Sequence, residues 1–87
     1  MLCFNTNQIV LGVAGDRFLK FYDKATTPTN LNTEPELFSL MVVGGSQLDT
    51  DLDVPFTNGL WVAATTSEDD TATTFSGTGL KFHALIY

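Results

Sequence analysis

Basic residues are scarce in this chain: four Lys and Arg together face ten Asp and Glu, leaving a net charge of -6. That balance repels phosphate backbones and supplies no basic stripe, so direct DNA or RNA binding is disfavoured. Cysteine is nearly absent as well. Cys3 alone cannot close an internal disulfide, and a single histidine, His83, leaves no Cys/His set for a structural zinc. Long apolar runs are also missing. The longest, residues 9–15, stops at Asp16 and Arg17, far short of the roughly 20 residues a membrane-spanning helix needs. No Lys or Arg precedes Arg17, so the start lacks the basic region of a secretory leader. The expectation is a soluble chain made in a reducing cytoplasm, which also suits its free thiol.

What is present favours folding. Hydrophobic residues make up 44% of the 87 positions and charged ones 16%, and seven Phe are included, too apolar a mixture for a disordered tail. The length implies one domain over residues 1–87, because dividing it would leave pieces too small to close a core. A chain of this size buries only about 60 to 65% of its unfolded surface, so binding to partners is expected to matter.

The hydrophobic period is that of strands, with Thr, Val and Phe prominent and no amphipathic helix. Residues 8–13 predict a first strand, preceded by an N-terminal arm over 1–7, and a turn at Gly15-Asp16 leads to a second strand at 17–23. In that second strand Leu19 and Phe21 face one way and Phe18, Lys20 and Tyr22 the other, so both faces carry aromatic surface and the strand should be central; the Lys20 ammonium is expected in water. Two prolines and short polar residues predict a loop over 24–35. An apolar strand over 36–43 ends at a hairpin-type turn, Gly44-Gly45. Leu48, Leu52 and Val54 then alternate with Asp49, Asp51 and Asp53, which predicts an outer strand whose carboxylates discourage edge pairing. Pro55 and Asn58-Gly59 mark a turn, residues 60–66 a strand with Trp61 and Val62 on opposite faces, 68–79 a polar loop, and 80–87 a last strand. Six to eight such short strands, without crossover helices, indicate an all-β domain: a compact antiparallel β-sandwich or a jelly-roll-like barrel.

No residue pattern points to an enzyme. Asp49, Asp51 and Asp53 match the first ligand positions of an EF-hand loop, yet Val54 stands where glycine is needed and Leu60 where glutamate is. Alternate side chains on a strand are also roughly 6 to 7 Å apart, too far to share one ion. Glu68, Asp69 and Asp70 have no ligand spacing, His83 has no partner in sequence, and the glycine pairs match no phosphate loop, so neither a metal nor another cofactor is expected. Leu2, Phe4, Trp61 and Tyr87 are the candidate partner-contacting residues, since aromatic and large apolar groups anchor binding surfaces; the competing reading is that Trp61 is core and that Leu2 and Phe4 cover a sheet edge.

Residues 17–29, Arg-Phe-Leu-Lys-Phe-Tyr-Asp-Lys-Ala-Thr-Thr-Pro-Thr, continued by Glu-Pro-Glu-Leu-Phe-Ser-Leu at 34–40, resemble a group of small tailed-phage and prophage proteins. So do residues 56–71, with Trp61 and an acidic Thr-rich loop, and the closing Gly-Leu-Lys-Phe-His-Ala-Leu-Ile-Tyr of 79–87. The resemblance covers residues 17–87 and implies a virion-associated β-domain on the capsid exterior, a decoration or cement protein. Its implied partners are the major capsid protein and copies of itself, a homotrimer being one such arrangement. An alternative within the same setting is a fibre or tail-tip domain that binds host glycan through Trp61 or the 68–79 loop.

Overall fold

The computed structural model describes residues 1–26, 37–69 and 74–87. The expected loops over 24–35 and 68–79, and with them Asp70, therefore lie partly outside the described residues. Six strands are present: β1 (Leu2–Leu11), β2 (Arg17–Asp23), β3 (Phe38–Val42), β4 (Ser46–Phe56), β5 (Leu60–Thr65) and β6 (Leu80–Ile86). They form two three-stranded antiparallel sheets, sheet A in the order β4-β1-β6 and sheet B in the order β3-β2-β5. The domain is an all-β sandwich, as the alternation of its residues predicts.

The two inner faces supply the core. Phe4, Ile9, Leu11, Val54 and Phe56 from sheet A meet Leu19, Phe21 and Val42 from sheet B. Phe21 stacks on its cross-strand neighbour Phe38 at 4.6 Å and lies 6.5 Å from Phe4 in the opposite sheet, while Phe82 meets Phe4 edge-on at 6.0 Å. Offset and edge-on aromatic pairs of this kind add to plain area burial.

Several local expectations need correction. Residues 2–7 are not an arm: residues 2–6 pair with β4 on one side and residues 4–6 with β6 on the other. The alternation that would have revealed this breaks at Asn7, where both ladders shift register. Phe4 and Thr6 are buried before the irregularity, Ile9 and Leu11 after it, so the inward set changes from even to odd numbers. Gly44-Gly45 is not a hairpin turn either, because β3 and β4 belong to different sheets. The turn is held instead by the β1–β2 connection, through Gly44 N–H to Asp16 Oδ1 at 3.0 Å and Gly45 N–H to Val13 O at 2.8 Å. Pro55 sits inside β4 rather than in the turn. It is tolerated because β4 is an edge strand and Pro55 faces Cys3, whose own N–H and C=O are committed to Tyr87, just after β6.

The sandwich closes unevenly. On one side β3 touches both β1 and β4. On the other, β5 and β6 flank an open crevice of about 390 Å³, lined by Val62, Ala64, Phe75, Leu80 and Phe82. The outer face of sheet B is covered: Lys20 and Tyr22 are fully buried, and Lys20 Nζ donates to Asp69 O at 2.8 Å. The expectation that its ammonium lies in water is thereby overturned. A buried ammonium must exchange water for fixed acceptors, and the chain after β5 supplies one.

Candidate functional site

The outer face of sheet A gathers most of the polar side chains singled out in the sequence. Asp49, Asp51 and Asp53 project from β4 at alternate positions and meet amides from β1. Asn5 Nδ2 donates to Asp51 Oδ1 at 3.0 Å and to Asp53 Oδ1 at 2.7 Å, and Gln8 Nε2 donates to Asp49 Oδ1 at 3.1 Å. Like charges on one strand thus each receive a donor from the next, a cross-strand pairing that eases their repulsion. Among the described residues no three His, Cys, Asp or Glu side chains converge as a metal site.

At the end of this sheet, where β1 begins and β6 finishes, Asp53 Oδ1 also accepts the Tyr87 hydroxyl at 3.3 Å and lies 3.9 Å from Cys3 Sγ. The Tyr87 phenol is pushed up to about 12, first by its contact with the Cys3 thiol and next by the negative charge of Asp53. It stays protonated through the neutral range, the reverse of an activated phenolate. His83 is exposed on the same face, beside a shallow hollow of about 280 Å³ shared with Asn5, Asn7 and Leu85.

The four candidate contact residues separate. Leu2 (52% exposed) and Tyr87 (60%) lie at that end on opposite faces of the sheet, Leu2 on the side of Phe4 and Tyr87 on the side of Cys3 and Asp53. Phe4 is withdrawn as a contact residue, because it is only 9% exposed and packs between Phe21 and Phe82. Trp61 lies elsewhere, on the outer face of sheet B opposite Tyr22, half-buried, with its indole N–H donated to Lys24 O at 3.2 Å. Met1, Leu85 and Ile86, all exposed, join Leu2 and Tyr87 at the end of sheet A. Leu85 and Ile86 were not singled out in the sequence. The signal was there: β6 carries apolar groups on both faces, Leu85 and Tyr87 on one and Leu80, Phe82, Ala84 and Ile86 on the other, as a strand covered on both sides would. Among the described residues nothing covers the outer of those faces at Leu85 and Tyr87.

Compared with protein-family models, with curated proteins and with solved structures, the chain finds no match.

Proposed function

We propose that this chain is a structural domain of a phage particle, a decoration or cement protein that binds the outer surface of the capsid and bridges major capsid subunits. The observation that carries the reading is the outer face of sheet A at its end, where Leu85 and Tyr87 are each more than half exposed on an otherwise acidic molecule. Large exposed apolar groups gathered in one place mark a surface for another protein. The likeness of residues 17–87 to small tailed-phage proteins supplies the kind of partner. A net charge of -6 suits the outside of a shell better than a surface lining packaged DNA. In a lattice, many copies bind at once, so a modest contact per copy is enough.

The test is an electron-microscopy map of intact particles, in which the chain should appear on the shell, together with a stability assay. Particles stripped of the protein should burst at lower temperature or milder osmotic shock, and adding back the protein should restore resistance while Leu85→Lys should not. Density at the tail tip, with glycan binding that disappears in a folded Trp61→Ala variant, would move the assignment to the fibre reading.

A further inference from the structure

The free edge of β6 meets the requirements for pairing with itself. Gly12 N–H bonds to Gly79 O, and Cys3 and Tyr87 exchange both backbone bonds, so the odd-numbered residues of β6 direct their N–H and C=O groups toward β1. By the alternation of an antiparallel ladder, Phe82, Ala84 and Ile86 direct theirs to the open edge. The same three residues face the interior side of the sheet, opposite Ile9, Thr6 and Phe4 respectively. Ala84 and Ile86 are nevertheless exposed, beyond Phe82, where the lining of the crevice on β6 ends. Among the described residues no strand pairs with this edge of β6, and an unpaired apolar edge is a template for another strand. Two of the other three edges are defended: β4 carries Asp49, Asp51, Asp53 and Pro55, and β5 is already bridged by Phe75 at Thr65, with Ser76 N–H on Ala64 O.

We infer that two copies of this chain pair β6 to β6 about a two-fold axis at Ala84, joining their A sheets into one continuous sheet. Charge and shape select this register. Ala84 meets its own copy, and Phe82 pairs with the partner's Ile86, an aromatic with a β-branched residue, at hydrogen-bonded positions on the interior side. On the outer side Lys81 meets the partner's Tyr87, whose hydroxyl is held on Asp53, and His83 meets the partner's Leu85. A cation is thus set beside an aromatic ring and a carboxylate. Centring the axis on His83 would oppose two imidazoles, and centring it on Phe82 would oppose Lys81 and the partner's His83. The interface is isologous, as a two-fold demands, and places the two crevices on the same side of the joined sheet, toward opposite ends of the seam. It leaves Leu85 and Tyr87 of both copies on the same outer face of the joined sheet. The pairing holds in solution whether or not the chain binds a capsid.

Sedimentation of the purified full chain, taken up to about 1 mM so that even millimolar association is populated, tests it. The expected species has twice the 9.5 kDa mass of one chain. Ala84→Pro removes an edge N–H and Ile86→Lys puts a charge into the seam, and each should raise the dissociation constant at least about tenfold with an unchanged β circular-dichroism spectrum. If one variant fails to fold, the other decides. A monomer at every concentration, a trimer, or a dimer indifferent to the folded variants would overturn the two-fold pairing.

Discussion

A few side chains act as brackets between distant segments, and their ionisation can be followed. Asp23, at the end of β2, accepts the backbone N–H groups of Thr57, Asn58 and Gly59 at 3.0, 2.8 and 3.2 Å, clamping the β4–β5 turn. The bonds from Thr57 and Asn58 hold its carboxyl below the ordinary value of 3.8. A carboxylate with a depressed pKa stabilises the fold in full above its unfolded value and loses that contribution as pH falls through its folded value. Asp23→Ala should therefore lower the melting temperature at pH 7, and the gap to the wild type should shrink in acid below the normal carboxylate range. Tyr87 shows the opposite sign. Its phenol is raised from 10.0 to about 12, so its contribution is complete below 10 and is lost as pH climbs through 12. Absorbance titration, with Tyr87→Phe as the blank, should place its midpoint near 12, and Cys3→Ala should bring it down. Lys20→Met keeps the buried stem and removes the ammonium, leaving the Asp69 carbonyl without that donor. The expected loss is about 1–3 kcal/mol in urea unfolding.

Turns and strands depend on contacts that the local pattern does not display. Gly44 is required because a Cβ there would strike the Gly15 backbone, with Gly15 O at 2.6 Å, and Gly59 because a Cβ would strike Lys24 O. Both are places where one connection presses its backbone on that of another, β3–β4 on β1–β2 at Gly44 and β4–β5 on β2–β3 at Gly59. Gly77, with nothing within 4 Å of a built Cβ, is the control. Gly44→Ala should cost about 2 kcal/mol or more and Gly77→Ala within about 0.5 kcal/mol by denaturant titration. These glycines are easily read in the sequence as turn formers, yet the pair at 44–45 gave the wrong kind of turn. A two-residue glycine turn between apolar strands looks the same whether the chain folds back in one sheet or crosses to the other. β2 was legible to its boundaries, 17–23, because its alternation is unbroken and both its faces are apolar. β1 was only half legible, since the irregularity at Asn7 divides its period into two short runs. Of the candidate contact residues, Leu2 and Tyr87 are exposed, but Phe4 could not be told from them by type alone: a phenylalanine suits a core and a binding surface equally.

At the scale of the molecule, the small core gives single side chains a large share of the stability. Phe21 is fully buried and contacts Phe38 within its own sheet and Phe4 across the layers. Phe21→Ala should cost about 3–5 kcal/mol, a large share of the roughly 4–13 kcal/mol total for a domain of this length, so the variant should melt far below the wild type by circular dichroism. Composition, period-two alternation and turn residues are properties of neighbours in sequence. They were sufficient for the all-β class, for the centrality of β2 and for the acidic outer edge at β4. The partner of each strand is another matter: four of the five connections pass from one sheet to the other, and a crossing leaves no periodic trace. Burial of Lys20, withdrawal of Phe4 into the core and the opening between β5 and β6 all follow from how the two sheets are laid together, because exposure is set by whatever lies opposite a side chain and that neighbour comes from far along the chain.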